Sequence, residues 1–151
     1  MFYVIDKFIS PLITLGINVI NKRIGKIYFE VDQWSCKMGR YDENGDYKTV
    51  TNVKDAENGG IVNFQVNIYN SHEYSISLKK IRISFVKESH MYDYKLNSLD
   101  ILNLEPKKMI DLKLECNLTK EDLMKINGYK AVYFKFKDHK NKEIKKIIKT
   151  F

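Results

Sequence analysis

The sequence predicts a mainly β chain: an antiparallel sandwich of about seven strands behind a separate apolar N-terminal helix. Three observations carry this. In the stretch Ile61–Phe85, Val62, Phe64, Val66 and Ile68 alternate with Asn63, Gln65, Asn67 and Tyr69. After the polar break Asn70-Ser71-His72-Glu73, a second run goes from Ile76 through Leu78, Ile81 and Ile83 to Phe85. Period-two alternation marks strands that bury one face, and the short break predicts that these two are antiparallel neighbours. Turn signals recur at short intervals through the rest of the chain, the spacing of a sandwich or barrel and not of βαβ units. Finally, Met1–Ile24 is unlike anything after it, which places the one domain boundary near Gly25.

A chain of 151 residues is one domain with an appendage. It buries about two-thirds of its unfolded surface and needs no metal, cofactor or disulfide to fold. Its 44% hydrophobic and 13% aromatic residues exclude a disordered chain. The net charge of +7 favours acidic partners (nucleic acid, an anionic membrane, an acidic protein), although lysine is also the ordinary solvated surface residue. Cys36 and Cys116 are too few for a disulfide framework. With no CxxC and no neighbouring histidine, they read as reduced, half-buried residues.

In the N-terminal segment, Asp6, Ser10, Thr14, Asn18 and Lys22 recur every fourth position and form a drifting polar stripe on a helix. Ile5, Phe8, Ile9, Leu12, Ile13, Leu15, Val19 and Ile20 make a wide apolar face. Ser10-Pro11 admits a second helix start, and Lys22, Arg23 and Gly25 form a helix end. A length of about 20 residues suits a membrane span. Asp6 and Lys7 would each cost about 2.5–3.5 kcal/mol at the bilayer centre. No basic start and no small-residue cleavage site make it a signal peptide. An amphipathic helix would instead lie on a membrane, pack on its own domain or pair with a copy of itself. A spanning helix would leave Lys22, Arg23 and Lys26, and the domain with them, on the cytoplasmic side.

Lys26–Cys36 reads as the first strand, with Ile27, Phe29, Val31 and Gln33 on one face and Tyr28, Glu30, Asp32 and Trp34 on the other. Asn44-Gly45 inside Tyr41–Tyr47 predicts a hairpin. Asp42, Asn44 and Asp46 place oxygens at alternate positions, but the glycine and the closing glutamate of a calcium loop are out of place. Lys54–Gly60 is a polar loop. After the central pair, Glu88–Asp100 reads as a loop with a short edge strand, and Leu102–Cys116 as a strand region with Pro106 at its turn or edge. Thr119 as N-cap with Asp122 three residues on starts a short helix that ends near Asn127-Gly128. Tyr129–Lys137 is a strand with Val132, Phe134 and Phe136 on one face. Glu143–Thr150 is the last, with Ile144, Ile147 and Ile148 apolar.

Together, Val62–Asn70, Leu78–Phe85, Leu104-Glu105-Pro106 before an alternating strand, and the Tyr133–Ile148 hairpin resemble a bacterial immunoglobulin-like β-sandwich. The resemblance covers Lys26–Phe151 and is architectural. Trp34 precedes Cys36, so the antibody-type Cys…Trp…Cys spacing is absent and no antibody-like receptor role is implied. The chain is also similar to uncharacterised small proteins of Gram-positive bacteria and their mobile elements, in which an apolar N-terminal helix precedes such a domain. That resemblance implies no activity, because a fold does not imply a function.

No HExxH, GxSxG, Walker or GxGxxG motif occurs. His72, His90 and His139 fall in three different turns. His90 with Asp93 is a candidate contribution to a metal site and His72-Glu73 a candidate general-base pair, although histidines in turns are ordinarily solvated. The expected function is therefore a non-enzymatic binding or assembly module with no small-molecule substrate. If Ile81, Ile83 and Phe85 face inward, Lys80, Arg82 and Ser84 face outward; if Val132, Phe134 and Phe136 face inward, Tyr133 and Lys135 face outward. In an immunoglobulin-like order these strands share a sheet with the last one. Its outer face then carries Lys80, Arg82, Tyr133 and Lys135, with some of Lys145, Lys146 and Lys149. Basic residues interleaved with an aromatic suit phosphate on lipid or nucleic acid; an ordinary solvated sheet face looks the same. The expected partners are a protein or a second copy through the N-terminal helix, then an anionic membrane, then nucleic acid. The expected location is cytoplasmic, at the inner face of the membrane where the helix engages lipid.

Overall fold

A computed structural model describes residues 26–151; the predicted N-terminal helix, with Ile5, Phe8, Ile9, Leu12, Ile13, Leu15, Val19 and Ile20, lies outside the described residues. In chain order the elements are β1 (Ile27–Tyr41), β2 (Tyr47–Val50), β3 (Gly60–Asn70), β4 (Ile76–Lys87), β5 (His90–Lys95), β6 (Ile101–Leu104), β7 (Met109–Leu118), helix α1 (Lys120–Ile126), β8 (Ala131–Lys137) and β9 (Glu143–Thr150). One antiparallel sheet has the order β2-β1-β3-β7 and the other β5-β4-β8-β9, with β6 pairing the first part of β4.

The alternation places the core where the sequence predicts. Val62, Phe64, Val66 and Ile68 of β3 face Ile81, Ile83 and Phe85 of β4 and Val132, Phe134 and Phe136 of β8, all buried. Each fully buried apolar side chain of this size contributes about 1.5–3 kcal/mol. Phe29 of β1 joins the two sheets, with its ring 5.1 Å from that of Phe136 and 5.4 Å from that of Phe134. Thr119 and Asp122 form the expected capping box at α1, which buries Leu123 and Ile126 against the core. The Tyr41–Tyr47 hairpin also forms, with Gly45 at φ 84°, where a side chain is strained.

Three expectations are corrected. First, β3 and β4 are not neighbours: β3 pairs with β1 and β7, and β4 with β5, β6 and β8. The break between them crosses from one sheet to the other. Alternation reports that a strand buries one face; it does not report which strand lies beside it. Asn70 anchors the crossing. It is fully buried, and its amide nitrogen donates to the carbonyls of Tyr74, Leu104 and Glu105 at 3.0, 3.1 and 3.1 Å.

Second, Trp34 faces inward. A bulge between Asp32 and Trp34, with Gln33 at φ 52°, inserts one residue and exchanges the faces of β1 beyond it. Trp34, Cys36 and Met38 pack on the core, and the Trp34 ring lies 6.2 Å from Phe64 and 6.4 Å from Phe85. Third, the described residues form nine strands, not about seven: Leu102–Cys116 divides at the expected turn, Glu105-Pro106-Lys107-Lys108, where Lys107 has φ 55°, into β6 and β7 on opposite sheets. In β9, Ile147 is 60% exposed, because it lies opposite the outward Tyr133, and a bulge beside it lets Ile148 reach the core. Cys36 and Cys116 flank Val62 from opposite sides in the same sheet and are free thiols. Two strand spacings, about 10 Å, exceed the reach of a disulfide.

Candidate functional site

The outer face of the β5-β4-β8-β9 sheet is set by a second bulge. Lys80, at φ 52°, is the extra residue where the β4–β8 register shifts between Lys79 and Arg82. Leu78 and Ile81 on its two sides both reach the core, and Arg82 turns outward. Beyond the bulge the registers align four cations: Lys95 of β5 opposes Arg82 of β4, Arg82 opposes Lys135 of β8, and Lys135 opposes Lys145 of β9. Lys95, Arg82, Lys135 and Lys145 thus form a transverse row across all four strands. In the neighbouring row Lys79 opposes Lys137. Like charges directly opposite on paired strands are destabilising.

Two carboxylates offset the middle of the row. Asp93 of β5 accepts from Ser84 Oγ at 2.5 Å and from Lys135 Nζ at 3.0 Å, and its Oδ2 lies 3.7 Å from Arg82 Nη1. Glu143 of β9 accepts from Arg82 Nη2 at 3.1 Å and lies 3.3 Å from Lys135 Nζ. Lys135 is 9% exposed, and its ammonium also touches Met91 Sδ at 3.9 Å. Burial pushes the Asp93 carboxyl up, but hydrogen bonds from Ser84 and Lys135 and the charges of Lys135 and Arg82 outweigh it and hold the group below its ordinary value. Arg82 Nε is buried with no hydrogen-bond partner among the described residues. The ends of the row, Lys95 and Lys145, are exposed. Beside it, Tyr133 lies opposite Ile147, and exposed Met91 opposes Val86.

The structure therefore brings Arg82, Lys135 and Lys145 into one row and Tyr133 into the next. Lys80 is exposed at the bulge. Lys149 stands apart, near the C-terminal end, with Nζ 5.9 Å from the Phe151 ring centre. Sequence reasoning placed Ser84 on this face and missed Lys95, Asp93 and Glu143 as members. The signal for the first two was present: Met91, Asp93 and Lys95 alternate with Tyr92, Tyr94 and Leu96, which pack on the core.

The other sequence candidates separate. His90 lies with its ring 6.4 Å from Tyr92, while Asp93 is committed to Ser84 and Lys135. Glu73 pairs with Lys107 at 2.9 Å. Asp42 spends its carboxylate on its own hairpin, accepting from the N–H groups of Asn44 and Asp46 at 2.9 and 3.0 Å and pairing with Lys48 at 2.7 Å. Among the described residues no three His, Cys, Asp or Glu side chains converge as metal ligands do. His72 and His139 do meet: their rings lie 5.8 Å apart, each beside Tyr74.

Two solved structures with similar chain paths are an ApaA-assigned protein of Bordetella pertussis and an uncharacterised β-sandwich protein of Clostridium difficile 630. The first is 11% identical, with a TM-score of 0.42 over 84% of this chain and 91% of that one. The second is 11% identical, with a TM-score of 0.38 over 82% and 86%. None of the curated proteins compared with the chain matches it. The family model described as the YopI Ig-like domain matches residues 25–98 and 90–149. With two antiparallel sheets closed over one core across the same residues, the chain belongs to the YopI Ig-like domain family.

Proposed function

We propose that the chain is a non-enzymatic binding module that docks an acidic protein surface on the outer face of the β5-β4-β8-β9 sheet. The in-register row Lys95–Arg82–Lys135–Lys145 carries this reading. Adjacent strands stand about 4.8 Å apart, and with Arg82 and Lys135 paired to Asp93 and Glu143 the row presents its unoffset positive charge at its two exposed ends, Lys95 and Lys145. Exposed Ile147 and Met91, with Tyr133, supply apolar and aromatic contact beside it. Charge complementarity with an apolar flank is the usual composition of a protein interface. A nucleic-acid backbone is bound along a continuous track of free cations, whereas Arg82 and Lys135 at the middle of the row are engaged by Asp93 and Glu143 and free charge stands at its two ends.

A labelled polyglutamate peptide and a single-stranded oligonucleotide of equal charge test the reading, each titrated with the full chain over a range of ionic strength. Preferential binding of the peptide is expected. Preference for the oligonucleotide with a steep salt slope, or binding of neither at low salt, contradicts it.

A second element of the proposal rests on the sequence. The wide apolar face within Phe2–Ile20 suits assembly with another chain or attachment at the cytoplasmic face of a membrane. Flotation with anionic liposomes and oligomeric mass, compared between the full chain and one starting at Lys26, separate these fates. Equal flotation and equal mass would remove both.

A further inference from the structure

We infer that the cleft at the β8–β9 turn is a binding site for a phosphate group. The cleft has a volume of about 300 Å³ and opens between the start of β1 and β9, at the edge where the two sheets face each other. Five basic or imidazole residues line it from four parts of the fold: Lys26 ahead of β1, His72 from the β3–β4 crossing, His139 and Lys140 from the β8–β9 turn, and Lys146 of β9. Ile27, Phe136 and Ile144 make its apolar lining. A low-dielectric wall strengthens each charge–charge interaction beside it.

The one carboxylate in the lining is outnumbered by three lysines and is turned toward its own loop. Asp138 lines the cleft, but its Oδ1 accepts from the N–H groups of Lys140 and Lys142 at 2.9 and 2.8 Å, closing the turn. Glu73, on the β3–β4 crossing, pairs with Lys107 at 2.9 Å. A tetrahedral oxyanion with two negative charges answers what remains.

The groups are also held in place. The Lys26 backbone is locked to Ser71: its N–H donates to Ser71 Oγ at 2.7 Å, and its carbonyl accepts from Ser71 Oγ at 2.8 Å and from the Ser71 N–H at 2.9 Å. His72 is fixed by Asn70. The Asn70 nitrogen is committed to three carbonyls, so its oxygen accepts from the His72 backbone N–H at 3.0 Å and faces ring Nδ1 at 2.9 Å. Nδ1 therefore carries a hydrogen in the neutral ring, and the next proton goes to Nε2, giving one more donor. Burial, then His139, Lys107 and Lys140, push the His72 pKa down. A bound anion reverses the electrostatic part of that shift, so anion and proton bind His72 cooperatively.

The test is a titration of the full chain with inorganic phosphate, and separately with sulfate, whose charge is constant across the range, at about pH 5.5 and about pH 8. Backbone amide resonances report binding. Saturable shifts are expected at Lys26, His72, His139, Lys140 and Lys146, with tighter sulfate binding at the lower pH. K140E/K146E should weaken binding by roughly tenfold or more, and K79E on the outer sheet face should not. Non-saturating shifts, or equal loss in K79E, overturn the inference. Phosphatidylglycerol vesicles then distinguish the source. Vesicle binding that falls in K140E/K146E supports a lipid headgroup as ligand; vesicle binding unchanged by it supports a soluble phosphate. The outcome is independent of whether polyglutamate binds the cationic row.

Discussion

Arg82 and Lys135 stand directly opposite each other on paired strands, and the same two carboxylates, Asp93 and Glu143, touch both. The pair is tolerated only with those acids in place. Asp93→Asn should therefore cost about 1–3 kcal/mol in denaturant unfolding, because the nearly buried Lys135 ammonium loses its closest anion. Lys135→Met, which removes the buried charge with its need for a partner, should be near neutral or stabilising. A larger loss in Lys135→Met than in Asp93→Asn contradicts this account of the cluster.

The same carboxylate sets a pH dependence. The folded Asp93 pKa lies below its ordinary value of 3.8. Its contribution is therefore present above that value and is lost as pH falls through the lower, folded one. Acid titration of stability should show this loss in the parent chain, and a shallower slope in the same window in Asp93→Asn.

The cluster also marks what was legible in the sequence. The inward residues of β3, β4 and β8 were readable, because burial of one face imposes a period of two wherever the strand is regular. The Thr119–Asp122 capping box was readable because it is a local hydrogen-bond pattern. Sheet membership of β3 and β4 was not, since alternation is identical whether the next strand lies beside or across. Trp34 was misassigned because one residue in a left-handed conformation, Gln33, resets the period, and glutamine carries no bulge signal. Arg82 and Lys135 were identified as outward cations. Their acids come from strands β5 and β9, and that neutralisation is a long-range fact that no local pattern encodes.

The Gln33 bulge yields a second test. Gln33→Gly, free of the left-handed penalty, should be neutral or stabilising by up to about 1 kcal/mol, and Gln33→Val should destabilise by at least as much. Trp34 is the single tryptophan, so its emission reads the register directly. Blue-shifted emission is expected in the parent chain and Gln33→Gly. Emission typical of a solvated indole in the parent would contradict the inward placement.

Asn70 supports the crossing between the sheets. Asn70→Ala leaves the carbonyls of Tyr74, Leu104 and Glu105 and the His72 N–H without that side chain, at a cost of about 2–3 kcal/mol. Thermal unfolding checks it, and a loss below about half a kcal/mol would mean that water replaces the amide.

Both thiols should be unreactive in the folded chain. Burial pushes Cys36 up, and burial with the nearby Asp122 charge pushes Cys116 up to about 11. Alkylation at about pH 8 should be slow until denaturant is added, then fast at both sites. Rapid native-state labelling of Cys116 would show that its strand opens.

The central claim is that the ends of the cationic row receive an acidic protein surface, and one measurement reaches it most directly. Lys95→Glu/Lys145→Glu reverses both exposed ends without touching Asp93, Glu143 or the core. In a titration with labelled polyglutamate, the account predicts that this variant loses binding by roughly tenfold or more, while K140E/K146E at the turn cleft keeps most of it. Undiminished binding in Lys95→Glu/Lys145→Glu, or equal losses in the two variants, would contradict it.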